Sequence, residues 1–282
     1  MARSVLIVGV GGQGAVLAGN ILGEVAMGAG FQVKKSEVHG MSKRGGIVFS
    51  HVRYGPEVHS PLIGAGEADA LVAFEWAEGL RWLPYLRPDG ILVVDTAQIL
   101  PPAAQRDHRA WARAYPELDP TLLEGHRGPV LAADARGLAQ HLGSPHAANT
   151  VLLGILSLRL EFPPEAWETA IRRQVPPRTV EMNLRAFREG RDLKPAALPT
   201  GTGRWAPPAG GGAYRIEITS PWCKACDICV RVCPEACLRL GESGTVEVAA
   251  SDACTGCRLC EWLCPDFAIA VHPAAPVRGG TS

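Results

Sequence analysis

The sequence predicts an α/β protein of two domains, a doubly wound domain in residues 1–193 and a small α+β domain in residues 214–274. Three observations indicate this division. The chain opens with an apolar run that breaks into glycines before an apolar helix, residues Lys194 to Gly212 are rich in Pro, Gly and Ala, and all nine cysteines follow that stretch. A chain of 282 residues can hold one medium-sized domain and one small one.

The first predicted element is a strand that ends in a glycine-rich turn. An apolar, β-branched run spans Val5 to Val10, and a helix of small apolar residues is predicted from Ala15 to about Met27. Strand, glycine turn and helix in this order form the first unit of a Rossmann-like, doubly wound sheet. The glycines fit G-x-G-x-x-G, a turn that lets a phosphate approach the helix N-terminus. The cofactor-binding candidates are therefore Gly9, Gly11, Gly12 and Gly14.

The second predicted strand argues against a nicotinamide dinucleotide at this turn. Such a site needs an Asp or Glu about twenty residues beyond the glycines, because the carboxylate accepts hydrogen bonds from the ribose hydroxyls. Here a short strand at Phe31 to Val33 runs into Lys34, Lys35 and Ser36. Two alternatives stay open: the glycines serve only close strand–helix packing, or they bind another anion.

A polar loop before the third predicted strand, Ile47 to Tyr54, is a second candidate site. It offers a hydroxyl, two cations and free backbone N–H groups, which suit a phosphate-bearing ligand. The candidate residues are Ser42, Lys43, Arg44 and Gly45. A charged loop is also common as plain solvated surface, so that alternative stays open as well.

The remainder of the first domain is predicted to be α/β scaffold. Strands are predicted at Ala70 to Phe74, Ile91 to Val94 and Val130 to Ala133. Helices are predicted at Glu78–Leu86, Ala135–Leu142, Ala147–Leu160, Pro164–Gln174 and Arg178–Gly190. No Ser–His–Asp set, HExxH motif or Walker loop occurs, so we expect no catalytic residues that act without a partner.

Residues 194–213 are predicted to be a semi-extended linker, since few of their side chains can build a core. The small domain that follows contains two copies of one cysteine pattern, thirty-one residues apart. Residues 275–282 form a Pro- and Gly-containing tail that is predicted to be disordered. The domain boundaries are therefore 1–193, 194–213, 214–274 and 275–282.

Each cysteine run has the form C-x2-C-x2-C-x3-C-P. This is the bacterial run for iron–sulfur ligation, in which three cysteines hold one [4Fe–4S] cube and the fourth reaches the other cube. Cluster I is thus predicted to be held by Cys223, Cys226, Cys229 and Cys264, and cluster II by Cys254, Cys257, Cys260 and Cys233. Structural zinc does not need the third cysteine of each run. A disulfide framework would imply an oxidising compartment.

The ninth cysteine, Cys237, is predicted to be a buried core thiol. The thirty-one-residue offset aligns it with Ala268, and a free cysteine behaves as a small hydrophobe. The alternative is that Cys237 is itself a ligand. With its two runs and its repeated apolar residues, the segment 214–274 resembles a bacterial two-cluster ferredoxin.

The charge distribution suits electron transfer better than nucleic-acid binding. The formal net charge is zero, but residues 214–274 contain eight acidic and five basic side chains. An acidic module attached to a mildly basic body favours docking to complementary protein surfaces. The apolar run Val5 to Val10 is too short for a membrane span or a signal core, so a cytoplasmic location and no membrane contact are expected.

The glycine turn and the polar loop together carry a more specific resemblance. The segments GVGGQG from Gly9 and EVHGMSKRGG from Glu37, with SPLIG from Ser60, are similar to the gamma domain of 2-oxoacid:ferredoxin oxidoreductases, above all the indolepyruvate type. The resemblance covers about residues 3–190. Lys43 departs from the glutamine that this subfamily often has.

The resemblance implies an electron-transferring subunit of an oxidative decarboxylase. Thiamine diphosphate with Mg would be bound by a partner subunit, since the GDG signature with a downstream Asn–Asn pair is missing here. Coenzyme A would be the co-substrate, and a soluble ferredoxin the acceptor. Two alternatives are a freestanding nucleotide-binding electron-transfer protein and an adaptor that docks a ferredoxin module.

Overall fold

The structure, a computed structural model, describes residues 2–39, 47–99, 126–193, 196–197, 214–256, 258–262 and 264–273. The chain divides into two compact units. The first comprises Met1–Ile99 and Leu118–Arg204, and the second comprises Leu100–Glu117 and Trp205–Ser282. Each unit is described by itself below. The described residues contain no helix that is long and apolar enough to cross a membrane.

A mixed sheet organises the first unit, with its strands in the order β2-β3-β1-β4-β5-β6-β7. Strands β1, β4, β5 and β6 are parallel, whereas β3 is antiparallel to β1 and β2, and β7 is antiparallel to β6. The strands are β1 (Arg3–Val10), β2 (Gln32–His39), β3 (Ile47–Gly55), β4 (Ala68–Ala73), β5 (Leu86–Asp95), β6 (Val130–Ala133) and β7 (Ala196–Ala197). The predicted α/β class with a largely parallel sheet is confirmed.

The sheet departs from a simple Rossmann topology next to β1. Helix α1 (Ala15–Gly28) leads to β2, but β2 does not pair with β1. Instead the chain returns from β2 and inserts β3 between them, with Arg3 opposite Tyr54 and Val10 opposite Ile47. The prediction that the second strand ends at Val33 was wrong, since β2 continues to His39. Strand β2 lacks an apolar run in the sequence because one side of an edge strand faces solvent and carries polar residues.

Helices cover both faces of the sheet, as a doubly wound fold requires. Val5, Ile7 and Val72 belong to the buried cluster that includes α1, whereas Gly79 of α2 (Trp76–Trp82) lies against Ala73 and Val94. Alternate residues of a strand point to opposite faces of the sheet, so some strand residues pack against α1 and others against α2. The other helices are α3 (Ala135–His141), α4 (Ala148–Ser157), α5 (Pro164–Gln174) and α6 (Val180–Asp192).

Several predicted boundaries match the structure. Strand β6 and helix α5 have the predicted ends, and α3 ends one residue early. The prediction that helix α2 spans Glu78 to Leu86 was wrong by several residues. It begins at Trp76 because the Glu75 carboxylate accepts a hydrogen bond from Glu78 N at 2.9 Å and caps it. A 3-10 turn, Leu83–Tyr85, then leads into β5.

Residues 214–256, 258–262 and 264–273 of the second unit form two short antiparallel strand pairs and two one-turn α-helices. Strand β8 (Tyr214–Ile218) pairs with β11 (Ile269–Pro273), and β9 (Leu238–Leu240) pairs with β10 (Val246–Val248). The helices are α7 (Ile228–Val232) and α8 (Leu259–Trp262). The core between them includes Ile216, Cys237 and Val271.

Candidate functional site

The two halves of the second unit repeat one backbone conformation at an offset of thirty-one residues. The left-handed residues form three pairs: Ala225 (φ 57°) with Gly256 (φ 69°), Asp227 (φ 54°) with Arg258 (φ 57°), and Ala236 (φ 50°) with Phe267 (φ 52°). Positive φ is uncommon outside glycine, so three matched pairs indicate a required local geometry. Each run of cysteines is therefore held in the same shape of loop.

Matched hydrogen bonds to sulfur show that these loops suit deprotonated thiols. Cys237 N donates to Cys233 Sγ at 3.2 Å, and Ala268 N donates to Cys264 Sγ at 3.1 Å. A backbone N–H stabilises a thiolate more than a thiol. Both acceptors are the fourth cysteine of a run, followed by proline, which is the chemistry that cube ligation needs.

The first predicted ligand set lies together. Cys229 is 5% exposed, and burial raises the pKa of its thiol to about 11, with further increases from Cys264, Cys226 and Cys223. Neighbouring thiolates repel one another, so a cation that compensates their charge would favour the deprotonated form of Cys229. Cys264 belongs to the second run, yet it lies beside the three cysteines of the first.

Three members of the second predicted set line one cavity. Cys233 of the first run lies there with Cys254 and Cys260 of the second, and Arg258 and Cys237 complete the same wall. Cys257 lies outside the described residues. Among the residues that are described, no three His, Cys, Asp or Glu side chains are close enough to hold a single metal ion. The fit to a cube therefore depends on the crossed grouping, the N–H···S bonds and the repeated loops.

Cys237 is buried where the other half has a small side chain. It is 1% exposed and Ala268 is 2% exposed, in agreement with the predicted core thiol. Burial raises the pKa of Cys237 to about 12, and the neighbouring Cys233 adds to the increase. Its own N–H supports Cys233, so the residue contributes through its backbone.

The glycine turn after β1 is filled by a side chain that the sequence reading did not single out. Gln13 Oε1 accepts from Val10 N, and its Nε2 donates to Phe74 O, both at 2.6 Å. A Cβ on Gly9 would lie 2.8 Å from Gln13 Oε1, so Gly9 must be glycine for this contact. Gln13 thereby ties the ends of β1 and β4 together.

Asn149, at the start of α4, closes the other side of the turn. Its Nδ2 donates to Gly14 O at 3.4 Å, and a Cβ on Gly14 would collide with that amide. Gly14 (φ 85°) precedes α1 and Gly12 (φ 100°) is exposed, while no side chain among the described residues caps the helix N-terminus. Backbone N–H groups at α1 are thus left for a ligand or solvent. Gly11 lies in the same turn.

The other loop candidates, Ser42, Lys43, Arg44 and Gly45, lie outside the described residues. The hairpin that carries them is anchored by β2 and β3, which pair from Gln32 opposite Gly55 to His39 opposite Val48. Their role in binding a phosphate therefore stays a prediction.

Acidic residues at strand ends have structural partners in the first unit. Asp95, at the end of β5, accepts from Ala97 N at 3.0 Å and from Arg136 N at 3.1 Å. Burial raises the pKa of Asp95 to about 6. Asp69 accepts from Ser4 N and pairs with Arg87. These carboxylates organise loops and helix ends.

Comparison with known families decides what the first unit is. Residues 4–193 match the family described as Pyruvate ferredoxin/flavodoxin oxidoreductase. The chain belongs to this family. The match includes the glycine turn, the β2–β3 hairpin and Asn149, and it ends before the cysteine-rich unit. The resemblance read from the GVGGQG and EVHGMSKRGG segments is confirmed.

Individual relatives within the family agree with this assignment. The chain is 39% identical over 189 residues to indolepyruvate oxidoreductase subunit IorB of Thermococcus kodakarensis, covering 66% of this chain and 93% of the relative. It is 30% identical over 199 residues to 2-oxoglutarate synthase subunit KorC of Methanothermobacter thermautotrophicus, covering 68% and 94%. Among solved structures, the gamma subunit of a keto/oxoacid ferredoxin oxidoreductase from Geobacter sulfurreducens matches with a TM-score of 0.50 and 27% identity, covering 67% and 96%.

Proposed function

We propose that this chain is the electron-transferring subunit of a thiamine diphosphate-dependent 2-oxoacid:ferredoxin oxidoreductase. The main support is that the fourth cysteine of each run lies beside the cysteines of the other run. Residues 4–193 of the same chain match the oxidoreductase family. Relatives named for indolepyruvate and for 2-oxoglutarate both match, and the indolepyruvate subunit is the more similar of the two. Indolepyruvate and other arylpyruvates are therefore the first substrates to test.

The eight cysteines of the two runs would hold two [4Fe–4S] clusters, Cys223, Cys226, Cys229 and Cys264 around one, and Cys254, Cys257, Cys260 and Cys233 around the other. Such clusters accept and release one electron at a time. The chain supplies N–H donors from Cys237 and Ala268 to the fourth cysteine of each run. Those bonds favour the thiolate form that iron binds.

The carbon chemistry is assigned to a partner subunit. The first unit shows strand-end carboxylates that are engaged in caps and loops, and the sequence contains no thiamine-binding signature. A partner with thiamine diphosphate and Mg would decarboxylate the 2-oxoacid, coenzyme A would take the acyl group, and soluble ferredoxin would take the electrons. The turn at Gly11 and the exposed Gly12, with the loop Ser42 to Gly45, is the proposed contact for coenzyme A phosphates.

A freestanding nucleotide-dependent electron carrier fits the geometry less well. In a dinucleotide site the strand beside β1 ends in the acid that binds ribose. Here β3 occupies that place and runs antiparallel, and Glu37 of β2 pairs with Lys35 at 2.5 Å. Gln13 also fills part of the turn.

The proposal predicts both the metal content and the activity. Protein purified without oxygen should contain about eight iron and eight sulfide per chain. The chain alone should not oxidise 2-oxoacids, whereas addition of the thiamine diphosphate subunit should give substrate- and coenzyme A-dependent reduction of ferredoxin. Stoichiometric zinc would contradict the cluster assignment, and full activity without the partner would contradict the subunit role.

The loop assignment has its own test in the reconstituted enzyme. Replacing Lys43 and Arg44 with alanine should raise the coenzyme A concentration needed for half-maximal rate and leave the cluster spectra unchanged. The matched control removes two adjacent cations from α5, Arg172 and Arg173, which are half or more exposed. An equal effect of both double variants would assign the change to general charge and remove the loop from the site.

A further inference from the structure

The two cluster loops carry opposite charges at one pair of positions that the thirty-one-residue offset makes comparable. Asp227 and Arg258 are thirty-one residues apart and both have left-handed backbones, with φ of 54° and 57°. Each lies between the second and third cysteine of its run. One loop thus presents a carboxylate where the other presents a guanidinium.

In the part of the chain that the structure describes, the backbone N–H donors to the two fourth cysteines are closely matched. The N–H···Sγ distances to the fourth cysteines are 3.2 Å and 3.1 Å. The 3-10 turns before each run, Ser220–Trp222 and Ser251–Ala253, also correspond. Hydrogen bonds to sulfur tune cluster potentials, and these two matched bonds do not distinguish the sites, whereas the charges of Asp227 and Arg258 do.

Arg258 is placed to act on the second set of cysteines. Its side chain lines the cavity with Cys233, Cys254 and Cys260 and is 34% exposed. Glu261 pairs with it at 2.6 Å but is not among the described residues that line the cavity. Glu235 does line it, yet Glu235 is exposed, so water and salt screen its charge more strongly.

The charge pair is reversed at the first set. Asp227 accepts from Arg231 Nε at 2.8 Å, and the Arg231 side chain is 77% exposed. Here the carboxylate occupies the loop and the cation extends into solvent. At the second set the cation occupies the loop and the carboxylate follows on the helix.

We propose that Arg258 raises the reduction potential of the cluster held by Cys254, Cys257, Cys260 and Cys233, and that Asp227 lowers that of the other. This inference rests on the two clusters of the proposed function. Reduction adds one negative charge to a cluster, which a nearby guanidinium stabilises and a nearby carboxylate destabilises. The reversed pair therefore gives the clusters separate potentials and sets an order of reduction.

The test is a redox titration of the full chain followed by electron paramagnetic resonance. Arg258→Gln should move one of the two reduction steps to lower potential. The expected shift is about 59 mV, which is a tenfold change in the equilibrium constant of a one-electron couple. Asp227→Asn should move the other step to higher potential. Arg258→Lys should keep most of the Arg258 effect.

Two control variants separate a local effect from a change in net charge. Arg215→Gln removes an equal charge from β8, where Arg215 is 67% exposed and pairs with Glu217, and should move neither step. Arg258→Gln combined with Glu261→Gln keeps the net charge and should still lower the same step.

Each outcome decides the inference. Two resolved steps that move separately and in opposite directions support it. A single unresolved two-electron step, both variants acting on one step, or an unchanged titration in Arg258→Gln with about eight iron per chain overturns it while leaving the proposed function intact. Iron far below that content in the unaltered chain overturns the clusters and this inference together.

Discussion

At the scale of single residues, the cysteine spacing predicted more of the candidate site than any other sequence pattern. Cys233 and Cys264 end their own runs but lie beside the cysteines of the opposite run. The sequence predicts this crossing because both runs are complete. Matched N–H donors at Cys237 and Ala268 were not readable from spacing, since they depend on the left-handed turns at Ala236 and Phe267.

The crossed assignment predicts which pairs of substitutions act on the same cluster. Cys264→Ser and Cys223→Ser should each reduce iron from about eight to about four per chain, and the double variant should lose no more. Cys264→Ser with Cys254→Ser should lose nearly all iron. Cys237→Ala should retain both clusters. Iron analysis and cluster absorbance distinguish these outcomes, and additive loss in the Cys264/Cys223 pair would refute the crossing.

Asp95 predicts a pH dependence of stability in the first unit. Burial raises the pKa of Asp95 to about 6, so the folded state holds a proton that the unfolded state releases near pH 4. This contribution to stability is therefore greatest below pH 4 and is lost as the pH rises through 6. The free energy of unfolding of Asp95→Asn, relative to that of the unaltered chain, should therefore increase by about 2 kcal/mol between pH 4 and pH 7.

Urea unfolding followed by tryptophan fluorescence at several pH values measures this difference. Asp89→Asn is the matched control, because Asp89 is 68% exposed and forms a surface pair with Arg127. The control should show no such trend. A pH-independent difference between Asp95→Asn and the unaltered chain would show that the carboxyl titrates normally.

Side-chain contacts between residues far apart in the chain could not be predicted from local sequence patterns. Gln13 reaches Phe74 across 61 positions, and Asn149 reaches Gly14 across 135. Glycine motifs announce a tight turn, but they do not say which side chain fills it. That information exists only once β4 and α4 are placed beside β1.

At the scale of elements, most helices and buried strands were predicted, whereas the bounds of α2, the extent of β2 and the order of the strands were not. Apolar runs identify β1, β4, β5 and β6 because these strands are buried on both faces. The polar strand β2 has a weak hydrophobic pattern. The position of β3 between β2 and β1 depends on which strands pair, which a local pattern does not determine. Periodicity reports burial of a segment and does not report its neighbours.

Two glycines let α4 and α6 approach closely. A Cβ on Gly154 would collide with Phe187 O, and one on Gly190 with Val151 O. Gly154→Ala should therefore destabilise the first unit by about 1–3 kcal/mol through overpacking. Gly23→Ala in α1 is the control, since its nearest neighbour is Val33 Cγ1 at 3.7 Å. It should be neutral or stabilising by up to about 1 kcal/mol. Thermal unfolding of both variants checks this, and equal destabilisation would contradict the contact.

At the scale of the whole molecule, the chain joins a domain of the oxidoreductase family to a smaller, cysteine-rich module. The family match ends at residue 193 and the described strands of the module begin at Tyr214. We interpret the residues between β7 and β8 as a tether, which keeps two linked units at a high effective concentration. The module's excess of acidic over basic residues would guide it to complementary surfaces of partners.

The tether predicts a concentration-dependent activity after cleavage. A protease-recognition sequence placed within Gly210–Gly212 should leave the reconstituted enzyme active until the protease is added. Cleavage should then lower ferredoxin reduction tenfold or more at submicromolar enzyme, because a short flexible linker supplies an effective concentration in the millimolar range. Cluster content should stay unchanged, and excess free module should restore the rate. The same recognition sequence placed after Ser282 controls for the protease. If the cleaved enzyme keeps its full rate on dilution, the tether between β7 and β8 has no part in electron delivery.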